Sequence, residues 1–147
     1  MGYTNYWRSK TTRPKKDIMS EAFRSDIRKI VEAANERKIM CHLEESDTRI
    51  EVVDDLNISE SFTLSTETTR SGEYEGFSYF SFCKTYECAF DAVVKCCIVA
   101  GIKAGLFEPI LMFDGNRHDD SYARAVLLAN MCGSDFAGFF ASVPVED

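Results

Sequence analysis

Few residues in this chain are of types that do chemistry, and most stand apart from one another. There are two histidines, His42 and His118, and six cysteines. A zinc site needs closely spaced ligand pairs, such as Cys-x-x-Cys with a second pair at the right distance. Cys96 and Cys97 are adjacent within a stretch of helical spacing, so their side chains diverge, and Cys83 with Cys88 has no second pair. The cysteines read as small hydrophobes, and no metal is expected. Arg117-His118-Asp119-Asp120 places His beside Asp, a fragment of a metal-dependent phosphoesterase that would also draw on Asp114. Such enzymes need further ligands on several helices, so a polar loop entering a capped helix is the simpler account. The acidic pairs Glu44-Glu45, Asp54-Asp55 and Asp119-Asp120 could serve acid–base work or bind Mg²⁺, yet adjacent carboxylates in turns are usually solvated. The chain has no Gly-x-Ser-x-Gly elbow, no Gly-x-x-x-x-Gly-Lys loop and no Gly-x-Gly-x-x-Gly, so no cofactor is expected.

Two stretches hold more. In "FCKTYECAFD", residues 82–91, a strand running into Lys84-Thr85 ahead of a helix gathers a cation, a hydroxyl and free backbone N–H groups, which an anion could use. The plainer reading has Thr85 capping the helix and Lys84 solvated. The chain opens "MGYTNYWR", with Tyr3, Tyr6 and Trp7 near a terminus. Termini fray unless tied down, so these rings belong either to the core or to a contact surface. As a strand the segment turns Tyr3, Asn5 and Trp7 to one face and Thr4, Tyr6 and Arg8 to the other.

The elements that position these residues follow from periodicity. Asp17 to about Lys38 places Phe23, Ile27, Ile30, Val31 and Ala34 on one face of a helix with charges opposite. "IMCHLEE", "RIEVVDD" and "SESFTLSTE" are short strand-like runs between turn-forming clusters, and "GFSYFSFCKT" is the clearest strand. Ala89 to about Lys103 has helical spacing and enough apolar residues for a buried central helix, ending near Gly101 and Gly105. "PILMF" is a short buried strand. Asp120 or Ser121 can cap a last helix to about Met131, and Phe136, Phe139 and Phe140 fold back onto the core. The pattern predicts one α+β domain over 1–147: an antiparallel sheet packed against about three helices, in the order β-α-β-meander-α-β-α, with 9–16 a basic and flexible connection.

Charge narrows the partners. Residues 1–16 hold five basic side chains and no acid, whereas the remainder holds 12 basic and 24 acidic ones, for a net charge of −7. An acidic body repels phosphate backbones, which argues against general nucleic-acid binding. No apolar leader or membrane-length stretch is present, so no membrane association is expected and the cytoplasm, with reduced thiols, is the expected location. Gly2 follows Met1 as in myristoylation, but Tyr6 stands where that motif wants Ser or Thr.

The opening "GYTNYWR", with "FSFCKT", "FDAVV", "LMFDG" and "ARAVL", resembles a family of small proteins encoded by bacteriophages and some bacterial chromosomes. Its members begin Met-Gly-Tyr-Thr-His-Tyr-Trp, carry Phe-Cys-Lys-Thr before a long helix, Tyr-Asp early in that helix, and Ser-Asp-Gly after the next strand. The matching residues are Gly2, Tyr3, Thr4, Tyr6 and Trp7, then Phe82, Cys83, Lys84 and Thr85, then Asp91, and then Asp114 and Gly115. Asn5 stands in place of the family's His and Phe90 in place of its Tyr. Asn is no proton shuttle near neutral pH, so a shared function is expected to be binding.

The resemblance brings a phage setting and no activity; together with the small acidic body and the lack of a coherent catalytic set, it leads to the expectation of a non-enzymatic phage-type accessory protein in the cytoplasm of a bacterial host, binding and inhibiting a host protein, for example one of antiviral defence. The alternative is a sponge for a small anionic nucleotide, with Trp7 or Tyr6 stacking on the base and Arg8, Lys84 and Thr85 engaging its phosphates. The candidate contact residues are Tyr3, Asn5, Tyr6, Trp7, Arg8, Lys84, Thr85, Asp91 and Asp114. A homo-oligomer is compatible with either reading.

Overall fold

The alternation read in the opening residues becomes a central strand. In the computed structural model, which describes residues 3–146, Thr4–Trp7 form β1, flanked on both sides by antiparallel partners, β5 (Ser81–Lys84) and β6 (Met112–Phe113). Asn5 lies opposite Cys83 and Phe113, and Tyr6 opposite Phe82 and Met112. Directly opposed residues share a face, so Asn5, Trp7, Ser81, Cys83 and Phe113 point inward while Thr4, Tyr6, Phe82 and Lys84 point outward. Gly2 of the opening motif lies outside the described residues.

The meander forms a second antiparallel sheet in the order β2 (Cys41–Glu45), β3 (Arg49–Asp54), β4 (Phe62–Ser65). Strict alternation in β3 buries Ile50, Val52 and Asp54. One continuous sheet is the sequence expectation, and the structure corrects it to two. They part between β4 and β5, where Glu60 stands in for a ladder: its N–H donates to the Lys84 carbonyl at 2.9 Å, and its carboxylate accepts the Lys84 N–H at 2.8 Å. Asp54, expected to be solvated, is instead buried and accepts the N–H groups of Leu56, Ile58 and Ser59, closing the turn after β3.

Helix α1 (Glu21–Glu36) begins later than Asp17 because Ser20 caps it, its hydroxyl accepting the Phe23 N–H at 3.2 Å. Its apolar stripe of Phe23, Ile27, Ile30 and Ala34 packs on α2 (Asp91–Lys103). Helix α2 has no wet face: every residue from Asp91 to Ile102 is buried among α1, α3, α4 and β1. Gly101 is required there, since a Cβ would lie 2.2 Å from the Phe107 ring. Helix α3 (Asp120–Asn130) has Asp119, not Asp120 or Ser121, at its N-cap position, and that side chain makes no cap hydrogen bond but accepts the Asn116 N–H. The tail is a fourth helix, α4 (Ser134–Ser142), burying Phe136 and Phe140. Among the described residues the fold is a single α+β domain with four helices.

Residues 9–16 follow β1 irregularly; the Ser9 and Lys10 N–H groups donate to the carbonyls of Ser78 and Leu106. All six cysteines are free thiols. Among the described residues no helix is long and apolar enough to cross a membrane.

Candidate functional site

Strand β1 carries two different surfaces, and the candidate residues divide between them. On its inner face Tyr3 and Asn5 meet Thr85 and Asp91, from a distant stretch of the sequence, in one buried polar network. The Asp91 carboxylate accepts from Asn5 Nδ2 at 2.6 Å, from the Thr85 hydroxyl at 2.6 Å and from Lys95 Nζ at 2.5 Å. Lys95 is fully buried one helical turn beyond Asp91; its ammonium lies 4.7 Å and 4.3 Å from the ring centres of Tyr3 and Phe113 and donates to the Tyr3 hydroxyl at 3.3 Å. That hydroxyl shares a 2.7 Å hydrogen bond with Ser121.

Apart from Asn5 Oδ1, the polar atoms of the network are satisfied by its own members. Burial lowers the Lys95 pKa against the opposing pull of Asp91, and burial likewise raises that of Tyr3. Thr85 is therefore no helix cap: its hydroxyl is spent on Asp91, and its N–H, with that of Tyr86, donates to the Tyr3 carbonyl. Tyr86 and Glu87 both sit in the left-handed region, at φ 55° and 59°, where the turn between β5 and α2 folds back on Tyr3. Asn5 Oδ1 is buried without a partner among the described residues. Sequence reading missed Lys95, although the i, i+4 spacing of Asp91 and Lys95 in an otherwise apolar helix signals such a pair. Trp7 lies here too, 3% exposed, with its indole N–H donating to the Gly76 carbonyl at 2.9 Å and its ring 5.1 Å from Phe62.

The outer face is open. Tyr6 stacks on Phe80 with ring centres 5.2 Å apart, and its hydroxyl donates to Asp114 at 2.8 Å, which raises the Tyr6 pKa. The other Asp114 oxygen accepts the Thr4 N–H. Around this pair Tyr79, Phe80, Phe82 and Tyr86 are 74%, 48%, 53% and 50% exposed. The Arg8 guanidinium lies over Tyr79 at 5.9 Å and the Lys84 ammonium over Phe82 at 6.0 Å, so cations and rings alternate across the surface. The sequence shows this face through the period-two pattern of "FSYFSF"; Tyr79 and Tyr86, beside the strands, carry no such signal.

The remaining candidates do not assemble. His118 is exposed in a loop where its N–H donates to Asn116, and Asp119 accepts the Asn116 N–H. A Cβ at Gly115 would displace the Asp119 carboxylate and crowd the Tyr3 hydroxyl at 2.9 Å. Among the described residues no three His, Cys, Asp or Glu side chains are grouped to hold a metal ion. No family model matches the chain, and neither the curated proteins nor the solved structures contain a match to it.

Proposed function

We propose that this chain is a non-enzymatic binding protein that docks a partner protein through the outer face of the β5-β1-β6 sheet. In the setting its resemblance implies, the partner is a bacterial host protein and docking inhibits it. The observation that carries the reading is the exposure of Phe80 and Phe82 beside Tyr79, Tyr86, Arg8 and Lys84. An antiparallel sheet with one solvated face normally turns polar side chains to water. Clustered exposed aromatics with arginine are instead the usual anchors of protein interfaces. The inner candidates Tyr3, Asn5, Thr85 and Asp91 then set the shape of the sheet without touching the partner.

A small anionic nucleotide is the second reading, favoured by the cations poised over Tyr79 and Phe82. Stacking is worth about 1–3 kcal/mol per base, so such a ligand needs both rings and cations. Native mass spectrometry of the protein gently purified from a bacterial lysate separates the two. A stoichiometric protein mass, absent when Phe80→Ser and Phe82→Ser are combined, supports protein docking; an added mass of nucleotide size supports the second reading. A protein mass indifferent to those substitutions would remove the outer face from the account.

A further inference from the structure

Where the two sheets part, β4 and β5 leave a groove of about 730 Å³. We infer that this groove is a strand-addition slot for an extended segment of the partner protein bearing lysine or arginine; the inference rests on the docking reading above and names the chemistry of its partner. Two independent features converge here, open backbone and charge.

The backbone follows from register. The Thr85 N–H donates to the Tyr3 carbonyl at 2.8 Å, which makes Asn5/Cys83 and Trp7/Ser81 the pairs that exchange hydrogen bonds. Phe82 therefore directs its N–H and C=O away from β1, into the groove. On the other wall the Thr66 N–H donates to the Thr48 carbonyl at 2.8 Å, so Ile50/Leu64 and Val52/Phe62 are bonded and Thr63 points outward. Glu60 closes one end of the β5 edge at Lys84, and the Glu75 carbonyl accepts the Ser65 N–H on the β4 side. Between these closures the Phe82 and Thr63 peptide groups have no hydrogen-bond partner among the described residues. A sheet edge left open in this way is a template for another strand, with main-chain bonds supplying affinity and alternate side chains supplying selectivity.

The charge is set by the lining. Trp7, Phe80 and Phe82 provide apolar wall, and Glu51, Glu60, Glu73 and Glu75 provide carboxylates, with no lysine or arginine among the lining residues. Arg49 pairs with Glu75 and Glu51, whereas Glu73 has no ion pair among the described residues. A strand entering the groove thus meets aromatic surface and, at Glu60 and Glu73, carboxylates without an ion pair among the described residues, which selects cationic side chains and repels phosphates. The chain's own basic run is committed at its start, because Ser9 and Lys10 are already bonded to Ser78 and Leu106; a second copy is the less suited occupant.

The test uses the full chain and three synthetic octapeptides: alternating arginine and threonine, alternating glutamate and threonine, and the arginine peptide with alternate amides N-methylated. Trp7, the one tryptophan, lines the groove and reports binding by fluorescence, while amide hydrogen exchange reads Phe82 and Thr63 directly. The arginine peptide should bind and slow exchange at both amides, with affinity at least tenfold weaker after N-methylation or in Glu73→Lys. Absence of binding, equal binding of the glutamate or N-methylated peptide, or unchanged Phe82 and Thr63 exchange would overturn the slot. So would a concentration-dependent dimer that protects those amides, since it assigns the groove to a second copy. If the arginine peptide fails while the combined Phe80→Ser and Phe82→Ser change still strips the partner, the docking face survives without the slot. If that partner is also retained, both fall.

Discussion

The two faces of β1 are built from similar residues and are treated oppositely. Inward, Tyr3, Asn5 and Trp7 each have a partner fixed by another element: Ser121 on α3, Asp91 on α2, and the Gly76 carbonyl ahead of β5. Outward, Tyr6 is held by Asp114 and Phe80, while Phe82 and Tyr79 have only a cation near their rings. The difference teaches where to look for function. The inner network holds sheet to helix, and its motif-like residues are explained by that task. Apart from the Tyr6–Phe80 stack and the Asp114 bond, the outer aromatics hold no other element, so their cost in exposed apolar surface calls for a partner.

The sharpest way to break this contrast is to remove the charge at the centre of the inner face. Asp91→Ala leaves the Lys95 ammonium buried without its carboxylate, together with unsatisfied donors on Asn5 and Thr85. Denaturant unfolding should register a loss of about 3–5 kcal/mol, the usual consequence of breaking a buried ion pair. Trp7→Ala should cost a similar amount, about 3–5 kcal/mol, through the cavity it leaves. A loss under about 1 kcal/mol in either would mean that the inner face is less committed than its hydrogen bonds imply.

Alkaline pH should weaken the interior next. Burial raises the thiol pKa of Cys41 to about 12 and of Cys132 to about 11, and raises those of Cys83, Cys96 and Cys97 as well. A group whose folded pKa lies above its unfolded one contributes stability below the unfolded pKa and loses it as pH rises toward the folded value. Stability should therefore decline from about pH 9 upward, each thiol contributing up to about 1.4 kcal/mol per pH unit. Lys95 opposes this: its lowered pKa makes stability rise with pH as far as its ordinary 10.5, but one amine stands against six thiols, since burial raises that of Cys88 too. Denaturant midpoints measured from pH 8 to 11 would show the decline; a flat or rising profile would contradict it.

Outer-face changes should be smaller. Tyr6→Phe removes one exposed hydrogen bond to Asp114 and should cost about 0.5–1.5 kcal/mol while keeping the stack on Phe80. Phe82→Ser should alter thermal stability least, by about 0.5 kcal/mol or less, as surface substitutions generally do.

Local periodicity carried much of this into the sequence. The alternation of "YTNYW" and of "FSYFSF" placed the two faces of β1, and the apolar spacing from Phe23 to Ala34 placed α1. What stayed hidden depends on distant partners. Nothing near Glu60 signals that its carboxylate will replace a strand and split the sheet. Lys95 has only its i, i+4 spacing to Asp91 as a local signal; that its ammonium meets Tyr3 and Phe113 depends on β1 and β6 closing over its helix. The α4 signal, Phe136, Phe139 and Phe140 at i, i+3 and i+4, was present but short and interrupted by Gly138.

The central claim is that the outer aromatics serve a partner and not the fold. Its most direct test is one preparation of the protein with Phe80→Ser and Phe82→Ser combined, examined for melting temperature and for the partner mass retained from a host lysate. The account predicts a melting temperature close to that of the unaltered protein and complete loss of the partner. A retained partner, or a chain that unfolds for want of those two rings, would contradict it.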